Sequence, residues 1–452
     1  MDFMPYAKHL QDSSLYTHDF YIQCLGSRFN ERWLIAHVIS MFPNVIWPVL
    51  FLIIHCFFTL LLIGGLKKWT ELFIKPEWAQ WTCLFLCLVV LYHRNLGGNE
   101  LYYNMVCASL LAKSIGIWAL YFAFKSDWLK AVLLTVLSTY IHPIVGVQIL
   151  ILSFVLIPSK DKIKYLLFSA LGISPYVWLL FTDLNNSIPS SELVNIMKLR
   201  NAHHFFPASF GILNYCLLIP LFLYGTYIFY KLNVQVFYLM MLTILGCIGY
   251  SLGMLILPQY MIMTQWFKAT IWLKFFSITG IVWMIISFAN KIQLSYRLKP
   301  QIILYTIGIL FVSFKFYKNT NYAESLYQFP WVNNSNEITT ALKAKNLSSS
   351  DAVFIVPADF TAFKYYSERS TYVDWKAIPH NGQCLVAWSD RIFKAYGIRD
   401  SEVASLTDIY SQSNLYLSTI QSDQKAKLKS EGVDYLIFKD PLNHEYVIEV
   451  LK

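Results

Sequence analysis

Four short clusters carry the side chains of this chain that could do chemistry. The first is Asp12-Ser-Ser-Leu-Tyr-Thr-His18-Asp19-Phe-Tyr, just ahead of the first long apolar run. A carboxylate there could remove a proton as a general base, or cap a short helix, which aspartate does well. The second is His142-Pro143, inside an otherwise apolar stretch. Its imidazole could hydrogen-bond a phosphate or a sugar hydroxyl, or satisfy carbonyls freed by the proline. The third is Arg200-Asn-Ala-His203-His204-Phe-Phe-Pro207, whose grouped cations suit an anionic head group. Adjacent histidines point apart and lack an acidic neighbour, so a metal site is the weaker reading. The fourth is Gln265-Trp266-Phe267-Lys268, with Lys274 one to two turns further on. Lys268 is either a ligand or a snorkelling helix-end cation. Lys274 and Lys113, deep in apolar segments, suggest a polar interior lining.

The elements that must position these clusters are membrane spans. The chain has 452 residues, 56% hydrophobic and only 14% charged, and resembles no soluble average. Apolar runs near 44–66, 78–93, 101–124, 163–182, 210–231, 234–257, 269–290 and 301–318 approach or exceed the roughly 20 residues a crossing needs. Residues 32–43 read as a helix lying at the interface. The joints between runs are unequal. One alternate set holds twelve lysines and arginines, among them Lys67, Lys68, Lys160, Lys162, Lys164 and Arg297; the other holds Arg94, Lys198, Arg200 and Lys268. Positive residues stay inside, so all four clusters face outward. The stretch 129–157 is Lys-rich at both ends, and two half-helices meeting at His142-Pro143 keep those lysines on one side. Irregular backbone at that depth requires a protein-lined or watery cavity.

The net charge of +9 sits mostly in the inner joints, so topology and anionic lipid explain it better than nucleic acid does. Six of eight cysteines lie in apolar segments as small buried hydrophobes. Cys24 and Cys384 both fall outside, where an oxidised pair can form. Residues 1–31 carry no basic-then-apolar signal, and the charge pattern favours an upstream span absent from this reading frame.

Hydropathy falls after Lys318. Helices over 336–346, from about Phe360, and over Gln383–Tyr396 alternate with strands at Ala352–Val356, Ser370–Val373, Val433–Phe438 and Tyr446–Val450. That alternation predicts a small α/β domain. The fold class expected is therefore a polytopic α-helical membrane protein followed by a small α/β soluble domain. Its regions are an outer segment at 1–43, a multi-span domain at 44–318 and an outer domain at 319–452.

With Tyr16-Thr-His-Asp19-Phe-Tyr before a span, the broken pair at His142-Pro143, the basic loop Arg200 to Pro207 and the outer α/β domain, the chain resembles the integral-membrane glycosyltransferases of the C superfamily. More narrowly it is similar to a bacterial membrane family carrying Arg-x-x-His-His before a span and Gln-x-Trp-Arg-Ala later. That family's tail resembles Val356-Pro-Ala-Asp-Phe360 and Arg369 to Lys376. The resemblance implies a GT-C-like helical bundle in the bacterial inner membrane that takes a sugar from a polyprenyl-phosphate donor. Asp19 would be the catalytic base. His142, Arg200, His203, His204, Gln265, Trp266 and Lys268 would bind donor phosphate or substrate. The acceptor would be a saccharide, lipid or protein; no cofactor is implied, and a divalent cation is compatible but not indicated. Lys268 stands where that family has arginine, and no second outer carboxylate pairs with Asp19; Glu100, beside Gly97-Gly98, is the nearest. A flippase or transporter for lipid-linked saccharides, or a non-catalytic assembly subunit, is the alternative.

Overall fold

Proline lacks the N–H that continues a helix and its ring excludes the preceding turn, which dictates the break at His142-Pro143. In the computed structural model of the chain, helix Trp128–Ile141 stops there and helix Pro143–Leu156 begins. The structure describes residues 3–27, 30–181, 190–291, 336–379, 382–398, 406–440, 442–443 and 445–451. His142 closes one ladder and opens the next: its N–H donates to the Ser138 carbonyl and its own carbonyl accepts from Gly146. A Cβ on Gly146 would lie 2.2 Å from the Thr139 Cα, so glycine lets the half-helices meet backbone to backbone. Each half spans about 21 Å at 1.5 Å per residue, short of the ~30 Å hydrocarbon core.

Among the described residues four helical stretches are long and apolar enough to cross a membrane: Asn44–Phe73, Ile212–Leu232, Val234–Ile256 and Pro258–Lys291. Of the eight runs expected to cross, that at 301–318 lies outside the described residues, and those at 78–93 and 101–124 hold shorter apolar helices, Glu77–Val90 and Ala108–Phe124. The stretch at 78–93 forms helix Glu77–Phe85, continues as the π-helical turn Leu86–Val90, and then leaves helical geometry. The next helix starts only at Ala108, because Cys107 is extended (φ −147°). Helix Trp47–Phe73 runs past its expected end. Lys67 and Lys68 stay helical there and pair with Glu71. Helix Lys162–Phe181 matches expectation, with Pro175 inside it.

The chain divides into two compact units. One comprises Val49–Val177 and Asn201–Gln328. Its core is helical and aromatic. Trp69 is fully buried edge-on to Phe276 at 5.0 Å and donates its indole N–H to the Ile117 carbonyl. Helix Ala108–Phe124 packs against both half-helices, and helix Ile212–Leu232 packs along Thr270–Lys291.

The other unit joins three stretches: Met1–Pro48, Trp178–Arg200 and Phe329–Lys452. Its sheet contains β1 (Val353–Ile355), β2 (Ser370–Thr371), β3 (Tyr435–Lys439) and β4 (Tyr446–Val450) in the order β2-β1-β3-β4. β1 is parallel to both neighbours, with Val353 opposite Ser370 and Phe354 opposite Tyr435; β3 and β4 are antiparallel. Ala352 to Val356 are all buried, as a central parallel strand covered on both faces requires. Helices Asn336–Leu347, Phe363–Ser367 and Gly382–Tyr396 fall where the pattern placed them. Helices Leu406–Thr419 and Ser422–Ser430 were not anticipated.

The N-terminal segment 1–43 is woven into this α/β unit. Lys8 pairs with Glu368 at 2.8 Å, Tyr16 donates to the Lys364 carbonyl, and Arg32 donates to the Ile378 carbonyl. Cys24 and Cys384 form a disulfide, their Cα atoms 6.1 Å apart.

Candidate functional site

Asp19 is not placed as a base. It precedes helix Phe20–Gly26 with extended backbone, and its Oδ1 accepts from the Ile22 N–H at 3.0 Å. Its Oδ2 accepts from both the N–H (2.8 Å) and the hydroxyl (3.0 Å) of Thr371. The Lys364 ammonium stands 3.5 Å away, and the residue is 0% exposed. Both carboxylate oxygens are thus engaged by internal donors and shut off from solvent. Asp19 is a helix cap that ties the N-terminal segment to β2.

Arg200 is likewise engaged inside the α/β unit. Its Nε donates to the Trp375 carbonyl at 2.8 Å, its Nη2 to that of Lys376 at 3.2 Å, and its guanidinium lies over the Trp375 ring. The helix carrying it breaks at Asn201 (φ −139°, ψ 35°), where the other unit begins. The expected trio of Arg200, His203 and His204 therefore splits between units.

His203 and His204 do not point apart. Their ring centroids are 4.1 Å from each other. The physical reason is Gly98: a Cβ there would come within 2.5 Å of His204 Nδ1 and 2.8 Å of His203 Cδ2. Gly98 (φ +58°) and Gly97 (φ +79°) occupy the left-handed region that favours glycine. Gly97 packs on Phe267, where a Cβ would lie 2.8 Å from the Phe267 Cβ. His204 Nδ1 is 3.3 Å from the Gly97 carbonyl. This turn thus gathers two of the sequence clusters, His203-His204 and Gln265 to Lys268.

Within the second cluster, Gln265 adopts a left-handed conformation (φ 43°, ψ 42°), unusual for a side-chain-bearing residue. Gln148, from the second half-helix, donates to its carbonyl at 3.0 Å. The Gln265 Oε1 atom is buried with no hydrogen-bond partner. Trp266 donates to the Thr243 carbonyl and fits against Gly246, which makes it a packing residue. Lys268 is half-buried, and its carbonyl accepts from Asn99 Nδ2. His142 caps its helix: Nδ1 accepts from the Val145 N–H at 3.4 Å. That contact is to an N–H, not to a carbonyl freed by the proline.

The turn continues into a buried polar knot that the sequence only hinted at. Asn99 Oδ1 accepts from the Lys113 ammonium at 2.7 Å and from the Tyr103 hydroxyl at 2.9 Å. Lys113 also donates to the Glu100 carbonyl. Lys274 donates to the carbonyls of Leu91 and Arg94 at 2.9 and 3.0 Å. Both ammonium groups are thereby satisfied by carbonyl oxygens, as deep lysines must be. The Glu100 carboxyl is different. Its Oε1 accepts from Asn95 Nδ2 at 2.6 Å, but Oε2 is buried and has no partner. Burial drives its pKa up to about 7 although Lys274, Lys113 and the Asn95 hydrogen bond pull the other way. A carboxyl poised near neutrality with an unoccupied lone pair suits proton transfer. Two lysines inside apolar helices and the string Asn95 to Glu100 around Gly97-Gly98 were the available signals for this knot.

Among the described residues no group of three His, Cys, Asp or Glu side chains stands close enough to hold a metal ion. Residues 336–395 match the family model of a domain of unknown function, DUF6798. The match covers β1, β2 and the helices between and beside them, all in the α/β unit, and takes in none of the residues around Glu100. No curated protein and no solved structure matches the chain.

Proposed function

We propose that this chain is an integral-membrane glycosyltransferase that moves a sugar, with inversion, from a polyprenyl-phosphate donor to a hydroxyl on a saccharide, lipid or protein acceptor. The single observation that carries the reading is the partnerless, buried oxygen of Glu100 beside two fixed ammonium groups, below a glycine turn flanked by His203-His204 and Lys268. The acceptor oxygen attacks the anomeric carbon, the bond from that carbon to phosphate oxygen breaks, and the acceptor proton passes to Glu100. Charge grows on the departing polyprenyl phosphate. Hydrogen-bond donors at that phosphate, here the Lys268 ammonium and the paired imidazoles, lower that barrier most directly. The Gln265 Oε1 acceptor supplies a hydrogen-bond site for a sugar hydroxyl.

Two independent features support this sidedness. The basic joints argue that the polar turn and the α/β unit face outward from a bacterial inner membrane. The Cys24–Cys384 disulfide supports an oxidising compartment for that unit.

The test is release of free polyprenyl phosphate by the purified full chain in lipid nanodiscs, supplied with a polyprenyl-phosphate sugar and an acceptor. The wild type is expected to release it, and Glu100→Gln to be slowed by about 10²–10⁴-fold. Binding of donor without any release would identify a carrier and overturn the proposal; undiminished release by Glu100→Gln would overturn the assignment of the base.

A further inference from the structure

A buried base must lose its proton between turnovers, and the surroundings of Glu100 offer few exits. Its side chain is 14% exposed. The groups that face it are Asn95, Tyr103, Lys113, Lys274, Cys87 and His93. Asn95 is an amide donor, and the Glu100 N–H donates to the Tyr103 hydroxyl, which itself donates to Asn99. Lys113 and Lys274 are bound to carbonyl oxygens and, as ammonium ions, carry no acceptor site. Cys87 is buried.

His93 is the exposed member of this group: its side chain is 72% exposed and its Nδ1 lies 3.7 Å from Glu100 Oε1. The turn that presents it is closed by the Arg94 N–H donating to the Leu91 carbonyl, and the Tyr92 ring packs on the imidazole at 4.3 Å. Imidazole accepts a proton at one nitrogen while releasing another from its far side.

We infer that His93 is the proton exit of this site, its exposed imidazole turning to close the 3.7 Å gap, taking at Nδ1 the proton that Glu100 has accepted and releasing one from Nε2 to water or buffer. The glutamate returns to its carboxylate, the imidazole returns to neutrality after tautomer exchange, and no other reactant is consumed. The inference rests on the reading of Glu100 as the base, but its core claim, proton passage between Glu100 and solvent through His93, is measurable without turnover.

The experiment is a pH-jump infrared measurement on the full chain in nanodiscs, following the Glu100 carboxyl band, identified by its loss in Glu100→Gln. His93→Ala should slow the protonation relaxation by about tenfold, and added imidazole should restore it. His93→Gln, which keeps a polar side chain of similar reach, should be as slow as His93→Ala. The same variants, assayed for polyprenyl-phosphate release, should become dependent on buffer concentration where the wild type is not. An unchanged relaxation in both variants overturns the relay. A wild type that releases no polyprenyl phosphate, yet whose carboxyl relaxation depends on His93, overturns the transferase reading and leaves the relay standing.

Discussion

Asp19, wholly buried, and Glu100, with one buried oxygen, are both carboxylates that feel lysine ammonium groups, one in each unit of the molecule, and they are finished in opposite ways. Asp19 receives three hydrogen bonds from Ile22 and Thr371 besides its neighbour Lys364. Glu100 receives one side-chain hydrogen bond from Asn95, and its second oxygen has none. A cation nearby therefore says little about role. What separates a structural carboxylate from a reactive one is whether its lone pairs are filled.

That contrast can be broken most directly by exchanging the two losses. Glu100→Gln should remove about 10²–10⁴-fold of transfer while leaving thermal unfolding near the wild-type value at pH 7 or above it. Asp19→Ala should do the reverse: it strands the Thr371 donors, removes the cap on Ile22 and takes one carboxylate from the buried Lys364 ammonium, which keeps Asp374 at 3.3 Å, for about 3–5 kcal/mol of stability. Detergent-solubilised unfolding curves measure this, and turnover per folded molecule should stay intact. A catalytically dead but fully stable Asp19 variant would restore it as the base.

Acidity sharpens the comparison further. The folded-state pKa of Glu100 is raised from 4.5 to about 7, so its neutral form favours the fold. That contribution is fully present below about pH 4.5 and is lost as pH rises through 7, amounting to at most about 3 kcal/mol. Transfer should rise over the same window, because the base must be ionised. Stability and rate should therefore run in opposite directions between pH 5 and pH 8, and Glu100→Gln should flatten the stability trend. The smallest effect expected is at the turn itself. Gly98→Ala combines a left-handed backbone with a Cβ 2.5 Å from His204 Nδ1, for about 1–3 kcal/mol. Weaker donor binding should accompany it, measured by titration with the polyprenyl-phosphate sugar.

Much of the architecture was legible from local signals. His142-Pro143 announced the paired half-helices, and the unbroken apolar run Ala352 to Val356 announced the central strand, because both depend on neighbours in sequence. Span lengths were not legible, since the hydropathy of 78–93 and 101–107 is high enough for a helix but Gly97-Gly98 and the Lys113 contacts hold that region open. The role of Asp19 was open between base and cap; Thr371, 352 residues away, fills its second oxygen. Glu100 was visible only as an acidic residue near two glycines. Its missing partner is a property of packing, which spacing along the chain does not encode.

The bond from Cys24 to Cys384 bridges 360 positions of sequence. A ribosome adds roughly 5–20 residues each second, so the first thiol must wait on the order of 20–70 s before its mate has been made. Throughout that interval the early helices have no β2 to receive Asp19. Biogenesis of this protein therefore calls for something to shelter the nascent N-terminal piece until the last strands arrive.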